Sequence, residues 1–152
     1  MKRKIIFVAL TLLWLSLILL LSSQNGNETA QTSSVIAKKI VNLIYKNASE
    51  SKIHTVHLFI RKLAHIFLFL VYGALVSVTA IVFFEKKHKV AMIVSALCIG
   101  IYAFFDEWHK QFIGGRHFDL HEVLLNLISG IFAMIIVFLF NKLLMSIRKK
   151  KC

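Results

Sequence analysis

Long apolar runs separated by short polar stretches dominate the hydrophobic pattern of this chain. A helix needs about 20 apolar residues to cross the hydrocarbon core of a bilayer. The pattern predicts an all-α integral membrane bundle of four transmembrane helices in one domain, residues 1–152, with spans at about 5–21, 63–84, 90–105 and 123–140. The first run starts with Lys2-Arg3-Lys4, as a signal peptide does, but it is longer than a signal peptide's apolar region and no cleavage motif follows closely. We therefore predict a retained anchor.

The segment between the first two spans has a different pattern. Apolar residues recur at helical spacing from about 34 to 46, with lysines between them. This amphipathic pattern is typical of a helix that lies in the membrane interface. We expect it on the outer leaflet. The alternative is that it forms part of another membrane segment.

Lysine and arginine counts give the orientation. The N-terminus, the connection at 85–89 and the tail hold eleven basic residues and one acidic residue, whereas the other face holds eight basic and six acidic residues. Cytoplasmic loops carry an excess of Lys and Arg. We therefore predict that both termini are cytoplasmic.

Composition supports a membrane protein and excludes other classes. The chain is 58% hydrophobic, above the 45–50% or so of average usage, and contains no proline. Its formal charge of +12 comes from residues at the span ends, which form no basic groove, so no nucleic-acid partner is expected. Cys98 falls in an apolar run and Cys152 is the last residue, so no disulfide is predicted.

Polar residues cluster at one edge of three predicted spans. Arg61, His65 and Tyr72 share one helical stripe at the start of the second span. Arginine can grip a phosphate or carboxylate with two parallel hydrogen bonds, and histidine can shuttle a proton. We predict that Arg61 and Tyr72 bind substrate and that His65 is a catalytic acid–base residue. The plainer interpretation, which we prefer for Lys62, is an interfacial anchor.

The third span ends in Asp106, Glu107 and His109, and a turn at Gly114-Gly115 is expected to bring Arg116 back toward the bilayer. We predict catalytic acid–base roles for the two carboxylates and substrate binding for the histidine and the arginine. Adjacent residues point to different sides of a helix, so we expect only one carboxylate to face the site squarely. The structural alternative is a salt-bridged cap between two helices.

The fourth span opens with Glu122 and Asn126, which also share a helical stripe. We predict that Glu122 is catalytic and that Asn126 binds substrate. For Asn126 the alternative is a hydrogen bond between helices, and Ser129-Gly130 is expected to allow close packing.

Metal binding is not predicted. His117 and His121 are four residues apart and carboxylates are near in sequence, but no HExxH or CxxC pattern occurs. No glycine-rich phosphate loop or nucleotide fingerprint is present either. The sequence leaves the cofactor unidentified.

The polar motifs follow one order along nearly the whole chain: Ser22-Ser23-Gln24, Arg61-Lys62-x-x-His65 with Tyr72, Asp106-Glu107-x-His109 with Phe112, Gly115 and Arg116, and finally an acidic residue with Asn126. Each motif is weak alone, but together they resemble the VanZ-like family of small bacterial membrane proteins. The chain departs from the family pattern in four places: Lys110 stands where glutamine is usual, Gly114 replaces a proline, Glu122 replaces an aspartate, and Gly130 comes one place late.

The resemblance implies a multi-pass protein of the bacterial cytoplasmic membrane with a role at the cell envelope. The family's founding member is associated with teicoplanin resistance, but the resemblance supplies no settled reaction. Two hypotheses follow. In the first, the chain modifies or binds lipid-linked envelope components at the outer leaflet. In the second, it is a non-catalytic membrane protein that limits glycopeptide access to wall precursors. The expected partners are membrane lipids and a lipid-linked cell-wall precursor or glycopeptide. A transporter is disfavoured because no internal repeat is visible.

Overall fold

Four long helices form the described part of the chain. The computed structural model describes residues 2–23, 50–85, 87–114 and 117–150. Helix α1 is Lys2–Ser22, α2 is Glu50–Phe84, α3 is His88–Lys110 and α4 is Leu120–Lys150. Each contains a stretch that is long and apolar enough to cross a membrane: Lys2–Ser22, Lys62–Phe84, His88–Lys110 and Leu120–Arg148. The all-α fold and the four predicted spans are confirmed. The predicted interfacial helix at 34–46 lies outside the described residues.

Consecutive helices run in opposite directions through the bundle. Lys4 at the start of α1 lies 3.9 Å from Glu85, just after the end of α2. At the opposite end, Ser22 of α1 contacts Asp106 near the end of α3. Helix α2 contacts all three other helices, and α3 also contacts α1 and α4. The end of α1, the end of α3 and the start of α4 therefore meet at one end of the bundle.

Two glycines allow a close contact between helices α2 and α4. The backbones of α2 and α4 meet at Gly73 and Gly130, where a Cβ added to Gly73 would overlap the Gly130 carbonyl. The core beside this contact contains Phe69, Tyr72 and Ile99, all buried. Small residues at such an interface let helix backbones approach, which is a main source of helix association in lipid. The predicted close packing at Ser129-Gly130 is confirmed.

Side-chain hydrogen bonds to backbone carbonyls join the helices inside the bundle. The Trp14 indole donates to the carbonyl of Leu68 at 2.9 Å, and the Tyr102 hydroxyl donates to the carbonyl of Leu15 at 2.9 Å. These bonds satisfy polar groups that lipid cannot satisfy, because an unpaired polar group in hydrocarbon is costly. They fix α1 against α2 and α3, which sets the position of Ser22 beside the polar end of α3.

Helix α3 continues past the predicted end of its span. The prediction ended the third span at Phe105, but the helix continues to Lys110. The extra turn contains Asp106, Glu107 and Lys110, all buried. Charged side chains at i, i+3 and i+4 can pair on one helix face, so this turn stays helical although it is polar.

Candidate functional site

A buried lysine joins three carboxylates where α3 and α4 meet. The Nζ atom of Lys110 lies 2.6 Å from Glu107 Oε2, 3.2 Å from Asp106 Oδ2 and 3.0 Å from Glu122 Oε2. The side chains of Lys110, Asp106 and Glu107 are at most 1% exposed, whereas that of Glu122 is 18% exposed. We call Asp106, Glu107, Lys110 and Glu122 the carboxylate–lysine cluster.

Both adjacent carboxylates face the cluster, so the expectation that only one would do so is wrong. Asp106 precedes Lys110 by four residues and Glu107 by three. Side chains at both spacings neighbour one another on a helix surface. The lysine stem is long enough to place its ammonium group between the two carboxylates.

Two further contacts connect the cluster to other segments. Ser22 Oγ of α1 donates a hydrogen bond of 2.5 Å to Asp106 Oδ1. The backbone N–H of Asp119 donates to Glu107 Oε1 at 3.1 Å. Two other parts of the chain, the end of α1 and the residues just before α4, therefore contact the two carboxylates of α3.

Asp119 forms the N-cap of α4. Its Oδ1 accepts a hydrogen bond from the backbone N–H of His121 at 2.8 Å, and its carbonyl accepts from the N–H groups of Glu122 and Val123. An aspartate at this position satisfies an N–H group that the helix leaves unpaired. The cap fixes where α4 starts and so places Glu122 in the first turn of the helix, within reach of Lys110.

Asn126 is fully buried one turn deeper in α4 than Glu122. Its side chain is 0% exposed, and among the residues that the structure describes neither Nδ2 nor Oδ1 has a hydrogen-bond partner. The predicted alternative of a hydrogen bond between helices is therefore not seen among these residues. Buried polar groups are almost always satisfied, so this amide needs an explanation.

Three other predicted site residues, Tyr72, His65 and His109, lie on α2 and α3. Tyr72 packs against the aromatic rings of the core, and its hydroxyl donates to the carbonyl of Cys98 at 3.1 Å. His109 is half-buried and stacks on Phe105 with ring centroids 6.3 Å apart. His65 is half-buried in the first turns of the α2 span. The distances given above do not connect these three side chains to Lys110, so their predicted roles stay predictions.

The two predicted anion-binding arginines are not positioned by the described part of the structure. Arg61 belongs to α2, but its side chain is not described, and Arg116 lies outside the described residues. Their roles also stay predictions.

Lys110 and Ser22 complete the cluster and were not predicted as site residues. Lys110 appeared only as a departure from the family pattern, and Ser22 only as part of a motif. For the lysine a signal was present, because it follows two carboxylates at i+3 and i+4. For the serine no local signal exists, since its contact with Asp106 spans 84 residues.

Metal ligation is not indicated by the described side chains. Within residues 2–23, 50–85, 87–114 and 117–150, no group of three or more His, Cys, Asp or Glu residues is arranged to hold a metal ion. The carboxylates converge on the lysine ammonium instead. The cluster can exchange protons among its carboxylates and lysine, or it can present charge to a ligand.

The fold and the cluster define a multi-pass membrane protein with a polar site at one end of a four-helix bundle. The family model described as VanZ/LLP1 matches residues 7–141 of the chain. The chain belongs to this family, as its motifs predicted. Neither a curated protein nor a solved structure matches the chain.

Proposed function

We propose that this chain is a bacterial cell-envelope membrane protein that modifies a lipid-linked envelope component at the outer leaflet. The observation that supports the proposal is the convergence of Asp106, Glu107 and Glu122 on Lys110, within 3.2 Å, at one end of an apolar bundle. Ionisable residues in membrane spans are rare, costly and by default functional.

The charge distribution supports the proposed outer-leaflet position. The opposite end of the bundle has the larger number of lysines and arginines and is therefore assigned to the cytoplasm. A site at the outer end of a membrane bundle suits a substrate whose headgroup lies at the bilayer surface while its lipid chain stays in the membrane.

We assign acid–base roles to the carboxylates and to His65, and substrate binding to Arg61, Arg116 and His109. A pair of carboxylates that share one lysine can hold one proton between them and transfer it. The arginines would bind an anionic headgroup or a diphosphate through paired hydrogen bonds. Tyr72 and Asn126 would contact deeper parts of the ligand. The proposal links the protein to teicoplanin resistance through a changed envelope.

A second candidate is a non-catalytic membrane protein that binds a wall precursor and limits glycopeptide access. The burial of the cluster favours it, because Asp106, Glu107 and Lys110 are nearly inaccessible and form ion pairs with one another. In that case the cluster is a salt-bridged cap that holds the end of α3 against the start of α4.

Two substitutions distinguish these candidates. Glu107→Gln keeps size and hydrogen bonding but removes basicity, and Arg61→Ala removes the predicted headgroup contact. Glu85→Gln, at an exposed carboxylate at the other end of the bundle, is the matched control. Each variant is expressed in a strain lacking the native gene. Teicoplanin susceptibility is measured, and membrane lipids and wall precursors are compared by mass spectrometry.

The modifying function predicts that the wild-type protein changes the mass of one lipid-linked component, and that Glu107→Gln abolishes this change while expression stays normal. If lipids and precursors are unchanged but both variants lose resistance, the binding function is supported instead. If both variants match the wild type at normal expression, neither function holds.

A further inference from the structure

Helix α4 continues past the level at which α2 ends. The two helices run in the same direction, because consecutive helices alternate, and their backbones meet at Gly73 and Gly130. Helix α2 ends at Phe84, eleven residues after Gly73. Asn141 comes eleven residues after Gly130, so residues 142–150 of α4 extend beyond the end of α2. We call residues 142–150 the α4 extension.

The other helices do not cover the α4 extension. Lys4 in the first turn of α1 lies 3.9 Å from Glu85, directly after α2, and α3 begins at His88. Both helices therefore have their ends near the level of the end of α2. Every side chain from 142 to 148 is exposed, so no described helix packs against this segment on any side. The extension is available to a partner outside the bundle.

An apolar stripe continues from the span of α4 into the extension. Four exposed apolar residues follow one another at spacings of four, three and four: Ile136, Phe140, Leu143 and Ile147. These spacings place them on one side of the helix. In the span, exposed apolar side chains contact the lipid chains. The same side of the extension is therefore suited to the apolar part of the bilayer and not to water.

Basic residues occupy another side of the extension. Lys142 and Arg148 are exposed, and their positions along the helix place them away from the apolar stripe. The sequence continues with Lys149 and Lys150, and no acidic residue occurs from 142 to 150. These four basic residues give the extension a formal charge of +4. Four to eight lysines and arginines directly after a membrane span are typical of a segment that binds anionic lipids.

The length of α4 places these charges at the depth of lipid headgroups. Its 31 residues correspond to roughly 46 Å. The hydrocarbon core of a bilayer is about 30 Å thick, and the bilayer with its headgroups is about 40–45 Å thick. Because the first turn of α4 lies at the polar end of the bundle, the extension reaches the headgroup layer at the other surface. There an apolar stripe beside basic side chains matches the boundary between lipid chains and headgroups.

We propose that the α4 extension binds the headgroups of anionic phospholipids. Lys142 and Arg148 contact the phosphate groups, and Leu143 and Ile147 pack against the adjoining lipid chains. Arginine can hold a phosphate through two parallel hydrogen bonds, and lysine binds it as a point charge. The site lies at the opposite end of the bundle from the carboxylate–lysine cluster. It goes beyond the envelope function and does not depend on it, because lipid binding is a property of the purified chain.

The test measures which phospholipid surrounds the extension in the full chain. Ser146→Cys is introduced at an exposed position of the extension, together with Cys98→Ser and Cys152→Ser, and the new cysteine carries a fluorophore. The protein is placed in phosphatidylcholine nanodiscs that contain the same small fraction of a nitroxide-labelled quencher lipid, either phosphatidylglycerol or phosphatidylcholine. One lysine or arginine near an anionic surface corresponds to a factor of about five in lipid affinity.

We therefore expect the anionic quencher to be enriched about fivefold or more over the zwitterionic quencher around position 146. The enrichment should fall at high salt, because salt screens exposed charges. Equal quenching by the two lipids would overturn the proposal and would leave an acidic protein or a second copy of this chain as the partner of the extension.

Two double variants locate the site. Lys142→Gln/Arg148→Gln should lower the enrichment by a factor of about five or more. Lys87→Gln/Lys89→Gln removes the same charge at the same end of the bundle but outside α4, and it should change the enrichment by less than about twofold. All four side chains are exposed, so neither variant removes a buried contact. Enrichment that survives in the α4 variant, or that both variants reduce equally, contradicts the proposed site.

Discussion

Replacement of Lys110 by methionine is the most direct perturbation of the cluster. The substitution keeps most of the aliphatic volume and removes the ammonium group that contacts Asp106, Glu107 and Glu122. It leaves two carboxylates of at most 1% exposure without their cation. Removing one partner of a buried ion pair costs about 3–5 kcal/mol. Glu122 is 18% exposed, so water can solvate it once the lysine is removed, and its loss adds less than that of the two buried carboxylates.

We therefore expect Lys110→Met to lower the free energy of unfolding by about 3–5 kcal/mol. The measurement is reversible unfolding in mixed micelles with increasing denaturing detergent, followed by far-ultraviolet circular dichroism. Lys87→Met, at an exposed lysine before α3, is the control and should change the free energy by less than about 0.5 kcal/mol.

A second substitution separates the ion pair from other effects of the methionine. In the double variant Lys110→Met/Glu107→Gln one of the stranded carboxylates is neutral, so part of the loss should be recovered. Residues in direct contact show interaction energies of about 0.5–3 kcal/mol. The reasoning is refuted if Lys110→Met stays within about 1 kcal/mol of the wild type, or if the two substitutions are strictly additive.

Three further predictions concern two contacts between helices inside the bundle and the N-cap of α4. Gly73→Ala should destabilise the bundle by about 1–3 kcal/mol, because its Cβ overlaps the Gly130 carbonyl, whereas Gly114→Ala meets no atom within 4 Å and should be neutral in the same unfolding assay. Tyr102→Phe removes a hydrogen bond to an α1 carbonyl and should cost about 0.6 kcal/mol; equal stability would show that this bond contributes nothing. Asp119→Ala removes the N-cap of α4 and should cost about 1 kcal/mol, while Asp119→Asn keeps it; amide hydrogen exchange in the first turn of α4 should distinguish the two variants.

The sequence predicts the spans well because a transmembrane helix is encoded locally. Apolar runs of sufficient length are enough, and charged ends such as Lys2-Arg3-Lys4 only refine the boundaries. The same local information also predicts that Asp106, Glu107 and Glu122 lie at one end of the bundle. The same information predicts the end of α3 too early, at Phe105, because the next turn is polar; the helix continues through that turn since its side chains pair with one another.

The composition of the cluster was harder to predict because it depends on contacts between distant segments. Ser22 contacts Asp106 because α1 packs against α2 and α3, where the side chains of Trp14 and Tyr102 donate hydrogen bonds to backbone carbonyls. Lys110 departs from the family pattern, and its role as the cation of the cluster depends in part on a contact with Glu122 of another helix. Tyr72 shares a stripe with His65, but its hydroxyl is bound to an α3 carbonyl in the core. A stripe on one helix predicts a common face, not what that face contacts.

Cysteine labelling in intact cells tests most directly the claim that the cluster lies at the outer face of the membrane. In a background with both native cysteines replaced by serine, single cysteines are introduced at Gly114, beside the cluster, and at Lys87, at the other end; both positions are exposed. A membrane-impermeant maleimide added outside should label position 114, and position 87 should react only after the membrane is permeabilised. Labelling of position 87 but not position 114 in intact cells would contradict the account, because the carboxylates and Lys110 would then face the cytoplasm.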